Sequence, residues 1–162
     1  MEICRKGEAL QVSDLDPFLA ELLRQIPAST NPQGETEAEA RLFSRPSAEK
    51  EICAEWKSYV EPELRRLFRS ATETVAEDLV QLNGNEKSLR NSTLIIPFEH
   101  ADAWLNALNQ ARLVIAAKYK FSDVELNDHD RSPIGSRRDL ALFQVNFYGF
   151  LQEFILREMQ TG

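Results

Sequence analysis

The stretch RRDLALFQVNFYGFLQEFILREM, residues 137–159, constrains the fold more than any other part of the chain. It is long, free of proline, and apolar at Leu140, Leu142, Phe143, Val145, Phe147, Phe150, Leu151, Phe154, Ile155 and Leu156. Residues so spaced cover nearly the whole circumference of a helix, and such a helix is normally central. Either other elements pack on several of its sides, or a second subunit covers one of them.

Four further stretches carry a helical period. Residues 15–26 repeat apolar side chains at three and four, with Asp16 as cap, Pro17 at the first helical position and Pro27 after the end. Residues 47–60, capped by Ser47, put Ile52, Cys53, Trp56, Tyr59 and Val60 on one stripe. Pro62 cannot donate to the residue four back, so it separates this helix from the next, 62–82, which stops at Asn83-Gly84. Residues 99–119 form the fourth, and Ser136 with Asp139 makes a capping box for the long segment at 137–159.

Residues 1–13 read as a small β-hairpin turning at Gly7. TLIIPF, residues 93–98, is either a short strand beside it or an extended lead-in to the following helix. Residues 28–37 read as an exposed loop, with Leu42 and Phe43 after it as a core anchor; residues 85–92 and 122–135 are further turn-rich loops. The fold expected is mainly α: a helical bundle of four to five helices with a small N-terminal β-hairpin.

At 162 residues this is one domain, with enough chain to bury a core. A net charge of −7 argues against general nucleic-acid binding, which needs a basic face. There is no apolar run of membrane-spanning length and no signal-like start, so a cytoplasmic protein with reduced thiols is expected.

Little in the sequence points to catalysis. His100 and His129 lack metal-ligand spacing, and no nucleophile elbow, phosphate loop or dinucleotide fingerprint occurs. Asp128 and Asp130 begin like a calcium loop, but Pro133 stands where its glycine belongs. No catalytic residue, metal or cofactor is assigned. Cys53 lies on an apolar stripe and reads as a small buried hydrophobe; Cys4, beside Arg5 and Lys6, is the other redox candidate. Arg65, Arg66 and Arg69 form one basic cluster, and Arg131, Arg137 and Arg138 another; both read as solvated, with docking of an acidic partner as the alternative.

The sharpest oddity is Arg112, which shares the helical face of Trp104, Leu105, Leu108 and Tyr119. A guanidinium there needs a partner, because an unpaired buried charge costs several kcal/mol. Glu153, embedded in FLQEFI, is the preferred partner, ahead of Glu99, Asp102 and Glu73. The pair is either a clamp between two helices or the floor of a ligand site that includes Asn109.

AEARLF, TETVAEDL, ADAWLNALNQARLVIAAKY and FLQEFIL together resemble the DUF family numbered two thousand and seventeen. The distinctive polar positions of that pattern are Asn109, Arg112, Gln152 and Glu153. The resemblance implies a bacterial protein, typical of actinobacteria, linked to oxidative-stress regulation through transcription machinery and a Cys-x-x-x-Cys pair. Family genes that neighbour a protease adaptor imply regulation or protein quality control. Here the two cysteines stand 49 positions apart, so that redox switch does not carry over. The expected role is therefore non-enzymatic: a regulatory protein that binds a protein partner, from the transcription or proteolysis machinery or as a homodimer. The alternative is a small-molecule sensor or enzyme with its pocket at Arg112, Asn109 and Glu153.

Overall fold

The computed structural model describes residues 1–83, 93–127 and 133–160. Gly84, the loop at 85–92 and the segment holding Asp128, His129, Asp130 and Arg131 lie outside the described residues. The chain is mainly helical, with a small antiparallel sheet at its N-terminal end.

β1 (Glu2–Lys6) and β2 (Ala9–Ser13) form the hairpin, with Gly7 at φ 61° in the turn. β3 (Leu94–Pro97) adds to the other side of β2, giving the order β1-β2-β3. TLIIPF thus supplies a strand rather than a lead-in. Alternation sorts the two faces: Leu10, Val12, Leu94 and Ile96 are buried, while Ile95 between the last two is exposed. The free edge of β3 is paired by a side chain. Gln81 Nε2 donates to Ile95 O at 3.0 Å, and Ile95 N–H donates to Gln81 Oε1 at 3.0 Å. The amide takes the place of a neighbouring strand and blunts the edge.

α1 (Pro17–Arg24) starts where Asp16 accepts the Leu19 N–H at 2.9 Å. Pro27 does not end the helical region, because it stands in the first turn of α2 (Ile26–Ser29), where no N–H is required of it. The stretch read as loop then closes into α3 (Thr36–Leu42), whose Ala38 and Leu42 pack with Val114 and Ala117.

Pro62 does not separate two helices. α4 (Lys50–Glu55) passes through a π-helical turn (Trp56–Val60) directly into α5 (Glu61–Leu79) and a final 3₁₀ turn (Val80–Leu82). Glu61 N–H donates to Trp56 O, five residues back. The wider turn places the proline in the first turn of the regular helix that follows, so the missing donor breaks nothing. Ser47 stands outside α4; its hydroxyl accepts the Glu49 N–H at 3.1 Å.

A 3₁₀ turn (Phe98–His100) leads into α6 (Ala101–Tyr119); α7 (Asp123–Asn127) and α8 (Arg137–Gln160) follow. The hydroxyl of Ser136 accepts the Asp139 N–H at 3.1 Å and starts α8. The central element is α6, not α8. Trp104, Ala107, Leu108, Ala111, Ile115 and Ala117 bury it on several sides. Alanine lets neighbouring backbones approach closely, so a helix of modest bulk is enclosed by α3, α5 and α8. α8 buries Val145, Tyr148, Leu151 and Ile155 but leaves Phe143, Phe150 and Leu156 exposed. Each fully buried side chain of Leu or Val size contributes roughly 1.5–3 kcal/mol.

Candidate functional site

Arg112 does bridge α6 and α8, but not through Glu153. Its Nη1 donates to Gln152 Oε1 at 2.6 Å, and Gln152 Nε2 donates to Leu105 O at 3.0 Å. Among the described residues Arg112 has no ion pair, whether with Glu153, Glu99, Asp102 or Glu73. Glu153 is exposed, as is Asn109. One residue is about 100° of helix, which turns Glu153 to water when Gln152 faces α6. An amide also suits the place better. It accepts from the guanidinium and donates to a carbonyl, whereas a carboxylate cannot donate and is costly to desolvate. Gly149 supplies the floor: a Cβ there would lie 3.2 Å from Arg112 Cζ. Arg112 Nε is buried against this surface with no hydrogen-bond partner among the described residues. The geometry is that of a clamp, and it does not bring Asn109, Arg112 and Glu153 into one pocket.

A second polar clamp went unrecognised in the sequence. Asp78 of α5 is buried at 8% exposure. It accepts the Trp104 indole N–H at 2.8 Å and lies 3.0 Å from His100 Nδ1. His100 is thereby a structural partner of a carboxylate. The signal was present: Asp78 follows Val75 by three and Ala71 by seven, so it shares their apolar face. Among the described residues no group of three or more His, Cys, Asp or Glu could hold a metal ion.

The cysteines are free. Cys4 is exposed on β1 opposite Gln11. Cys53 is half-buried rather than buried, and its thiol donates to Ser47 O at 2.9 Å. The stripe around it is not covered either. α4 and the π-helical turn hold no buried residue. Ile52 is 43%, Tyr59 77%, Val60 48% and Leu67, about two turns further along in α5, 56% exposed. Residues 50–67 form an arm on which Trp56 and Leu64 are half-buried and the other large apolar side chains meet solvent. Periodicity identified the stripe but could not say whether anything packs on it.

The basic clusters resolve residue by residue. Arg65 donates to Glu61 and Glu39, at 2.9 Å each, and lies 3.8 Å over the Phe43 ring. The Glu39 hydrogen bond is the chief cause that raises its pKa. Arg66 pairs with Glu63 at 2.9 Å. Arg138 pairs with Glu125 at 2.6 Å and lies over Phe121; the hydrogen bond from Arg138 leads the causes that lower Glu125 to about 2. Arg69 has no hydrogen bond or ion pair among the described residues.

Arg69 lies on a groove of about 400 Å³ between α2, α3, α5 and α6. Thr30, Thr72, Glu73 and Gln110 add polar groups, and Leu42, Phe43 and Phe68 an apolar wall. Thr72 Oγ1 is 3.2 Å from Thr30 Oγ1 and 3.0 Å from Phe68 O. Gln110 is only 3% exposed, yet its Nε2 has no hydrogen-bond partner among the described residues. It lies about 200° around α6 from Arg112, so this groove is on the opposite side from the clamp. Gln110 does not stand out in the sequence, because α6 has more than one apolar face. Ala107, Val114 and Ala117 define another, and Gln110 falls on it.

No helix among the described residues is long and apolar enough to cross a membrane. A family model described as a domain of unknown function (DUF2017) matches residues 5–159. Neither the curated proteins nor the solved structures contain a match.

Proposed function

The chain belongs to the DUF2017 family, and from that premise we propose that it is a non-enzymatic regulatory protein that works by protein–protein contact, its arm pairing with the arm of a second copy. The observation that carries this reading is the uncovered stripe of Ile52, Tyr59, Val60 and Leu67. Short helical segments are marginal in water without tertiary packing. A stretch of helix with no fully buried side chain gains most from a partner. Exposed apolar side chains that lie together mark interaction sites. In an antiparallel two-fold pairing the stripe runs against itself, with Ile52 of one arm toward Leu67 of the other and Tyr59 toward Val60.

A cytoplasmic, stress-related role belongs to the same proposal. Two free thiols fit a reducing compartment, and one of them, Cys53, sits on the arm. A partner from the transcription or proteolysis machinery would compete for this surface.

Sedimentation velocity tests the proposal. The mass is expected to rise with concentration from 18.5 kDa toward twice that value. The variant with Ile52→Asp and Tyr59→Asp is expected to stay monomeric with an unchanged thermal midpoint. A wild-type monomer at every concentration, or a dimer that ignores both aspartates, overturns the reading.

A further inference from the structure

We propose that the groove between α2, α3, α5 and α6 binds a small zwitterion of the amino-acid type with an apolar side chain. A buried amide normally has its hydrogen bonds made, and an unpaired donor is costly. Gln110 reaches the groove with 3% exposure and no partner for Nε2 among the described residues. A half-turn of the amide presents either its donor or its acceptor to whatever occupies the groove.

The charges narrow the ligand class. Arg69 and Glu73, one turn apart on α5, both line the groove, and neither has a hydrogen bond or ion pair among the described residues. Arg65 and Glu39 already neutralise each other at 2.9 Å. The open charges are therefore one cation and one carboxylate. That pattern suits a carboxylate and an ammonium on one small molecule. It disfavours a polyphosphate, which Glu73 would repel and a single open cation would leave under-neutralised. Guanidinium takes the ligand carboxylate, Glu73 the ammonium, and the Gln110 amide a carboxylate oxygen at the floor. Phe43 and Phe68, whose ring centroids stand 5.7 Å apart, offer the apolar side chain a wall. A groove of about 400 Å³ falls in the range of small-molecule sites.

Isothermal titration calorimetry on the full chain tests this, with L-phenylalanine and L-leucine as probes. 3-Phenylpropionate lacks the ammonium, phenethylamine lacks the carboxylate, and inorganic phosphate reports a bare anion site. At least one amino acid is expected to bind saturably at one site per chain. Each phenyl analogue is expected to bind roughly tenfold or more weakly than L-phenylalanine, and phosphate not at all. Arg69→Met and Gln110→Leu are each expected to weaken binding about tenfold or more. Gln110→Leu should hold or raise the thermal midpoint, since it removes an unpaired buried amide. No saturable heat with either amino acid overturns the proposal. So does phosphate or 3-phenylpropionate binding as tightly as the amino acid, or affinity unchanged in both variants. Glu73→Gln should lose discrimination against 3-phenylpropionate while keeping the fold.

Discussion

Arg112 lies against Gly149, close enough that a single methyl group on Gly149 would stand 3.2 Å from the guanidinium carbon. Glycine in the middle of a helix costs roughly 0.5–1 kcal/mol relative to alanine. Here it gives the arginine a path across the α8 backbone to Gln152. Removing the acceptor is expected to cost more than removing the pair. Gln152→Leu leaves a part-buried guanidinium short of its acceptor, a loss of about 2 kcal/mol. Arg112→Leu combined with Gln152→Leu should be less destabilising than the sum of the two single changes. Urea unfolding of all four proteins in a double-mutant cycle measures that coupling. Additive effects would remove the clamp.

The Asp78 carboxylate joins α5 to α6 through Trp104. Trp104→Phe keeps most of the apolar volume but deprives a buried carboxylate of its 2.8 Å donor. The expected loss is about 2 kcal/mol, within the range for hydrogen bonds to charged groups. Asp78→Asn in the Trp104→Phe background should recover part of it, because a neutral amide is easier to bury unpaired. Equilibrium unfolding of both variants checks this, and a Trp104→Phe protein as stable as wild type would contradict it.

Tyr148 makes stability depend on alkaline pH. Its hydroxyl donates to Leu22 O at 2.7 Å and accepts from Gln144 Nε2 at 2.7 Å. Burial is the main cause that pushes its pKa up, to about 12 from 10.0. Between those values the unfolded chain releases a proton that the folded chain keeps, so stability falls as pH rises through this window. Below pH 10 the contribution is fully present. The total is on the order of 3 kcal/mol. Tyr148→Phe should flatten this slope while costing about 1 kcal/mol at neutral pH. Urea midpoints across the alkaline range provide the test.

How far the sequence reached depended on what each pattern could report. Alternation placed Leu10 and Val12 inward, and the capping residues Asp16 and Ser136 start α1 and α8. Apolar count misjudged the centre. Phenylalanine-rich α8 looked more buried than alanine-rich α6, but enclosure depends on how closely neighbours approach, and alanine permits that. Pro62 conflicts with i to i−4 bonding in a continuous α-helix, and the π-helical turn removes the conflict. Arg112 was legible as a residue in need of a partner, but choosing Glu153 over Gln152 weighed charge above rotation by one residue. Gln110, Asp78 and the uncovered arm depend on which faces meet, which a helical wheel for a single segment does not contain.

In the proposed dimer the arm of one copy meets the arm of another. Dipolar spin-label spectroscopy on the Cys4→Ser protein, labelled only at Cys53, reads that contact directly, because Cys53 lies within the arm. Pairing predicts one narrow inter-label distance that disappears on Tyr59→Asp. A featureless decay at every protein concentration, the same with and without Tyr59→Asp, would contradict it.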